Sequence, residues 1–406
     1  MSRVAIVGCG ISGISAALAL AREGITSDVY ERSAEIGEVG AGLQVAPNAG
    51  RILGDLGVLD HLTVKEVIPD RAVMRDIRTG EQIIAIDFGQ FPERFGSPYR
   101  VMHRGDLLAS LIKAAASTGL VSVHPGKELV GVDQTEDDVT LTFADGEQAT
   151  AEVLLGADGI RSRVRQIFKD ASLPLASRYV IYRGTFARTG EFENAVTLQT
   201  GANHHVMHYP IRGGEMMNLV CSFKSERGPV GSEAWGTSEE LEEYFADANP
   251  VVRSAISQLE RERKWVQFDR TPEPGWVFGR VLLIGDAAHP THQYLAQGAC
   301  QALEDAVALA RLFSFAPDDL VGQLPAFEAE RYERTAAVTL GSRFWGELTH
   351  VGGADAITRD TLLRSIGADG LSHLDWLYSK KQGVPPVIPP WHDDYAVLEA
   401  EKAMVN

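Results

Sequence analysis

The sequence predicts an α/β fold: a Rossmann-like, doubly wound nucleotide-binding sheet with an inserted β-sheet and a helical carboxy-terminal region. Three observations lead there. An apolar strand runs into a glycine turn at residues 2–13; two further strand–turn–helix units follow near 151–165 and 281–306; alternating β patterns fill the stretches between them. At 406 residues the chain exceeds the size at which one core usually stops growing, so more than one domain is expected. The patterns assign 1–70, 100–175 and 276–320 to the nucleotide-binding part, 71–99 and 176–275 to the inserted sheet, and 321–406 to the carboxy-terminal region and tail.

The elements follow in order. Residues 2–13 read SRVAIVGCGISG, a β-branched run followed by Gly8-x-Gly10-x-x-Gly13. Gly8 suits a tight turn, Gly10 lets the backbone approach a pyrophosphate, and Gly13 lets a helix pack close to its strand, with Ile11 and Ser12 between them at the ligand. Residues 14–22 are Ala- and Leu-rich and read as that helix, and 27–31 as a second strand ending in Glu31-Arg32. Glu31 stands where an acid accepts hydrogen bonds from ribose hydroxyls and repels a 2′-phosphate. An adenine dinucleotide follows, with NAD and FAD both open at this point.

Residues 151–155 form a third strand, followed by GADGIRSRVR at 156–165; 281–284 form a fourth, followed by Gly285-Asp286, His289-Pro290 and Gln297-Gly298. The helix predicted over 298–306 would turn its amino end toward an anion. In the inserted sheet, 204–210 alternate ahead of Gly213-Gly214 and read as one strand of a hairpin. His205, Met207 and Tyr209 then share one face, and His204, Val206 and His208 the other. Residues 324–348 read as a packing helix, and the Pro-rich stretch 383–390 as extended chain. His289 and His292 lack a third ligand, so they read as capping and packing groups and no metal is expected.

Composition narrows the function. With 38 basic and 55 acidic side chains the net charge is −17, which opposes binding to nucleic acid or an anionic membrane. No apolar tract approaches the roughly 18 residues of a membrane span, and the first strand passes straight into a turn rather than a leader sequence, so a cytoplasmic location is expected. Cys9, Cys221 and Cys300 form no C-x-x-C pair and read as packing residues.

The glycine fingerprint, the Asp-Gly motif at 156–165 and the Gly-Asp motif at 285–290, in this order, resemble the single-component FAD-dependent aromatic hydroxylases. The likeness is to the 3-hydroxybenzoate and salicylate hydroxylases of that family. It lies in Gly37-Glu38-Val39-Gly40-Ala41-Gly42-Leu43-Gln44, His103-Arg104-x-Asp106-Leu107, Tyr209-Pro210-x-Arg212-Gly213-Gly214-Glu215, Gln293-Tyr294-Leu295-Ala296 and Arg343-x-Trp345-Gly346-Glu347-Leu348.

The resemblance implies FAD as cofactor, with NADH (NADPH as the alternative) and O2 as co-substrates, and oxygen transfer through a flavin C4a-hydroperoxide. It places Asp286 at a ribityl hydroxyl, Asp158 at the pyrophosphate and nicotinamide, Arg104 at the phosphates, and Gln44, Pro290, Gly298 and Ala299 around the cofactor. His205 would take or share a phenol proton, Gln293 would hydrogen-bond the same oxygen, and Tyr209 with Tyr99 would orient ring and carboxylate. The substrate implied is a phenolic acid, foremost 3-hydroxybenzoate giving 2,5-dihydroxybenzoate. Decarboxylating salicylate hydroxylation, or hydroxylation of a pyridine carboxylate such as 6-hydroxynicotinate, is the alternative. Two departures stand out: His292 occupies a place where the family often has Pro or a bulky residue, and no basic cluster for the carboxylate is evident. A homodimer is compatible with the sequence. A NAD-linked dehydrogenase would leave Asp158 and Asp286 unexplained and lacks a Tyr-x-x-x-Lys pair; a non-catalytic binding protein on the same scaffold would be colourless and consume no NADH.

Overall fold

The computed structural model describes residues 2–37, 41–169 and 174–380. Ser2–Val7 lies inside an eight-stranded sheet, in parallel with Gln148–Gly156 on one side and Ser27–Glu31 on the other; Val281–Leu283 and Val121–Pro125 extend it outward, also in parallel. Val4, Ala5, Ile6 and Val7 are all buried, as expected of a strand covered on both faces. The third strand begins at Gln148, earlier than predicted, because its first half pairs antiparallel with Val139–Phe143. The fourth ends at Leu283, because Gly285 turns the chain at φ +57°. Helices Ile11–Arg22, Arg104–Ser117 and Gly298–Phe315 pack together against the sheet.

The second sheet has seven strands in the order Trp265–Asp269, Leu175–Ala187, Met216–Lys224, His204–Ile211, Ala195–Gly201, Arg71–Asp76 and Gln82–Asp87. All its pairings are antiparallel except Ala195–Gly201 with Arg71–Asp76, which joins the two insertions into one sheet. One face, carrying Val206, Leu219, Cys221 and Phe223, packs with Trp235 and with helices Ser238–Phe245 and Pro250–Ile256. The opposite face carries the row Leu198, Met207, Val220 and Arg183, each in register with the next. The 204–210 hairpin strand is therefore present, and its two faces separate as the alternation predicts.

A two-stranded ribbon, Gly42–Val45 with Arg100–His103, lies between the sheets. The Gly42 N–H donates to Oδ1 of Asn218 at 2.6 Å, and a Cβ on Gly42 would come within 2.7 Å of Tyr209, so a glycine is what lets the ribbon seat there. Leu324–His350 forms one 27-residue helix, followed by Gly353–Ile366. The main buried cluster joins first-sheet residues to Val196, Tyr209 and Ile211 of the second. Among the described residues no helix is long and apolar enough to cross a membrane. The Pro-rich stretch 383–390 and the motif residues Glu38, Val39 and Gly40 lie outside the described residues.

Candidate active site

A cavity of about 380 Å³ opens between the two sheets. Its nucleotide end is lined by Gly10, Ile11, Ser12, Arg104, Asp286 and the helix start Gly298-Ala299, and its sheet end by Arg183, His205, Met207, Tyr209, Gln267 and Gln293.

The glycine turn has the geometry its sequence implies. Gly8 sits at φ +106°, where a side chain would be strained and its Cβ would meet the Ala157 carbonyl at 2.5 Å. A Cβ on Gly13 would fall 1.9 Å from the Gly8 carbonyl oxygen, whereas one on Gly10 would meet nothing within 4 Å and would project into the space left for a ligand. Ser12 carries a buried hydroxyl without a protein partner at the cavity wall. The first intrahelical bond of Gly298–Phe315 runs from Gln301 N–H to the Gln297 carbonyl, so the preceding amides are left for a partner at the cavity. An FAD fits this donor set: an open glycine cradle, an orphan hydroxyl and a helix amino end in one cleft.

The Gly285–Ala287 turn is clamped from behind. Oδ2 of Asp305 accepts from the Gly285 N–H at 3.0 Å and lies 2.8 Å from Nε2 of His289; Oδ1 accepts from Nε of Arg331 at 2.8 Å. This holds Asp286 facing the cavity. Although open to the cavity, Asp286 is surrounded by protein, and that burial raises its carboxyl pKa against the opposing charges of Arg104 and His289. Pro290 is buried beside the turn, and Glu31 accepts from the amides of Cys9 at 2.9 Å and Ser33 at 3.0 Å at the end of the second strand, with Arg32 exposed next to it.

Asp158 faces its own turn. Its carboxylate accepts from the Ser162 hydroxyl and from the amides of Arg163 at 2.6 Å and Val164 at 3.1 Å, so it caps the short helix Arg163–Phe168, and the cavity wall is made by its neighbours Ala157 and Gly159. Tyr99 stands behind the cavity wall. It is buried among Phe88, Phe91, Phe95 and Tyr378, stacks on Phe88 at 4.5 Å, and donates to Oε1 of Gln44 at 2.7 Å; Gln44 lines the cavity and Tyr99 supports it from behind.

His205, Met207, Tyr209 and Gln293 all line the sheet end of the cavity. His205 is only 3% exposed, and burial, reinforced by His204, pushes its pKa down to about 3, so the ring is neutral. Its Nδ1 lies 2.7 Å from Nε2 of His350, leaving Nε2 as the nitrogen available to the cavity. Tyr209 is buried and its hydroxyl pKa is raised by that burial, so the hydroxyl stays neutral.

Three contributions escaped the sequence. Arg183 lines the sheet end and lies over the Trp265 ring at 4.5 Å, a single basic group where the sequence showed no basic cluster. Gln267 lines it too, 5% exposed with neither amide atom partnered. The Leu324–His350 helix is more than packing: it supplies Trp345 and Thr349 to the wall and His350 to His205. Its Arg343 holds buried Asp269 at 2.5 and 2.9 Å, and a Cβ on Gly346 would come within 2.4 Å of Tyr294, so Gly346 is the point where helix and Gln293–Leu295 turn touch. His292, buried and 3.4 Å from Asp269, packs in this wall; among the described residues no cluster is arranged to hold a metal. Arg212 pairs with Asp106 through two nitrogens at 3.2 Å, so two of the motif segments meet in space. Cys9, Cys221 and Cys300 are free and buried.

Comparison with known proteins agrees with this cleft. A family model described as an FAD binding domain matches residues 1–339. The 3-hydroxybenzoate 6-hydroxylase of Klebsiella oxytoca is 37% identical over 386 residues, covering 94% of this chain and 97% of the relative. The 6-hydroxynicotinate 3-monooxygenase of Bordetella bronchiseptica is 32% identical over 345 residues, covering 83% of this chain and 89% of the relative. Among solved structures, Klebsiella pneumoniae HpxO complexed with FAD and uric acid superimposes with a TM-score of 0.80 at 28% identity, covering 91% of this chain and 94% of that one.

Proposed function

The chain belongs to the FAD-binding-domain family, among its FAD-dependent aromatic hydroxylases, and on that premise we propose that it hydroxylates 3-hydroxybenzoate to 2,5-dihydroxybenzoate with NADH and O2. One relative acts, by its name, on 6-hydroxynicotinate, so a hydroxylated pyridine carboxylate is the second reading. The observation that carries the proposal is the joint placement of neutral His205 with Gln293 and Tyr209 across the cavity from Asp286 and the Gly298 helix end.

FAD would be held by the Gly8–Gly13 turn, Ser12, Arg104, Asp286 and the amides at Gly298-Ala299, with Gln44, Pro290 and Glu31 around it. Once bound and reduced by the nicotinamide, it supplies, with O2, the electrophilic oxygen that enters the ring. The protein's own task is to make the ring electron-rich. A phenol is attacked most readily as its phenolate, ortho or para to the oxygen, so Nε2 of His205 accepts the phenol proton while the Gln293 side chain hydrogen-bonds the same oxygen. Tyr209, held neutral, orients the ring by donating, and Arg183 with Gln267 favours a carboxylate at the sheet end. Apolar Met207, Val220, Leu198 and Trp345 keep water from the reacting region, which guards against loss of reducing equivalents as peroxide.

The test is NADH oxidation by purified holoenzyme with a panel of phenolic acids and their neutral amides, scoring product as well as NADH. Stimulation with stoichiometric 2,5-dihydroxybenzoate is expected from 3-hydroxybenzoate; no stimulation by any phenol would defeat the reading. His205→Ala is expected to retain FAD yet form less than about one-tenth of the product per NADH, the scale on which a lost acid–base group acts. Unchanged coupling removes His205 from this role.

A further inference from the structure

His205 and His350 are joined through ring nitrogens 2.7 Å apart, Nδ1 to Nε2. Both rings are buried, at 3% and 4% exposure, and both are neutral, because burial lowers each pKa. A single hydrogen therefore occupies the span between them, and where it sits decides what His205 offers the cavity. With the hydrogen on Nδ1 of His205, its Nε2 is an acceptor for a phenol O–H. With the hydrogen on Nε2 of His350, the Nε2 of His205 carries its own hydrogen and is a donor to a phenolate.

We propose that His350 is the terminal acceptor of the substrate's phenol proton, acting through His205 as a positioning residue rather than touching the substrate. The transfer balances. The phenol O–H breaks and an N–H forms at Nε2 of His205; the Nδ1–H of His205 breaks and an N–H forms at Nε2 of His350. The products are a phenolate, a neutral His205 that now donates to it, and a cationic His350. The inference rests on His205 receiving that proton.

The surroundings distinguish the two rings as seats for the charge. His350 is the last residue of the 27-residue helix Leu324–His350, where the carbonyl ends favour a cation, although Arg359 already donates to those of Leu348 and Thr349; His205 is the second residue of the strand His204–Ile211. His350 also stacks on Tyr179 of the Leu175–Ala187 strand at 4.2 Å and meets the edge of Tyr294 at 5.5 Å. Against the charge stand His205 and His204 on their strand, Arg359 of Gly353–Ile366 and Lys224 of Met216–Lys224. Burial first, and these opposing groups after it, keep the pair uncharged until a phenolate supplies the countercharge, so proton uptake is tied to substrate arrival.

The decisive variant is His350→Gln in the oxidised holoenzyme. A glutamine carbonyl can still accept the Nδ1–H bond and hold the ring, but it cannot take the proton. Bound 3-hydroxybenzoate is titrated by its phenolate absorbance, with benzoate, which has no phenol, as the control ligand. Expected are unchanged flavin content, a benzoate Kd within twofold of the parent, and ionisation of the bound phenol displaced upward by at least one pH unit, a tenfold loss of phenolate at neutral pH. A parent-like phenolate profile in this variant overturns the proposal, because orientation alone would then suffice. If His350→Gln loses flavin, nitrogen-15 histidine spectra of the parent enzyme decide: the phenolate complex should show a doubly protonated His350 beside a neutral His205, and a cationic His205 or two neutral rings overturns it. Should His205→Ala leave the phenolate profile unmoved, the functional reading fails; should His205→Ala displace it and His350→Gln not, this inference alone fails.

Discussion

At the scale of single residues, the glycine turn separates two requirements that sequence alone runs together. Gly13 is needed for packing, since its Cβ would overlap the Gly8 carbonyl, while Gly10 faces open space. Gly10→Ala should therefore leave the flavin-free protein within about 0.5–1 kcal/mol of the parent, since the methyl meets nothing, and weaken FAD binding at least tenfold. Flavin fluorescence titration and denaturant melts of the apoprotein check both halves; equal losses in the two would contradict the assignment. These roles were legible because strand, glycines and helix are contiguous in sequence. His350, Arg183 and Gln267 were not, because they reach His205 and Tyr209 from strands and a helix far along the chain. The capping role of Asp158 had a sequence signal that was passed over: an Asp in a turn, with Ser162 four residues on, ahead of a short helix.

At the scale of elements, the Gly298–Phe315 helix and the Leu324–His350 helix are locked by buried charge. Arg331 spans Glu304 at 2.9 Å and Asp305 at 2.8 Å, with Gln301 at 2.7 Å, and Arg334 adds a contact to Glu304 at 3.1 Å. Burial alone would push the Asp305 carboxyl up, but His289 and Arg331 overcome it and hold the pKa down to about 2. A carboxylate depressed in the folded state adds stability above its unfolded pKa near 4, and that contribution is lost as pH falls from about 4 toward 2. Arg331→Met removes the cation shared by two buried carboxylates, leaving Glu304 to Arg334 and Asp305 to His289, and should cost about 3 kcal/mol at pH 7, measured by urea unfolding, with a smaller further loss between pH 4 and 3 than the parent shows. A parent-like midpoint would mean the network is only decorative. The sequence located the start of both helices and the end of the second to within two residues but stopped the first at 306, nine residues before Phe315, and their pairing through Arg331 and Arg334 was not legible in it.

At the scale of the whole molecule, the buried cluster continues from the nucleotide sheet into Tyr209, Ile211 and Val196, and the ribbon Gly42–Val45 ties to Asn218. One cooperative thermal transition is expected, and FAD at a hundred times its Kd should stabilise it by about 2.7 kcal/mol. Two calorimetric peaks, only one moving with FAD, would show that the sheets melt independently. The parallel pairings of Ser2–Val7 also set an order of events in time. Its neighbour on one side, Ser27–Glu31, is close in sequence, but Gln148–Gly156 emerges from the ribosome well over a hundred residues later, and the helix at Gly298 later still. Until then the first strand has an open edge and the glycine turn has no opposing wall, so a nascent chain cannot keep a dinucleotide. Acquisition of colour is therefore among the last steps of biogenesis, and a chain stalled before residue 298 should emerge colourless.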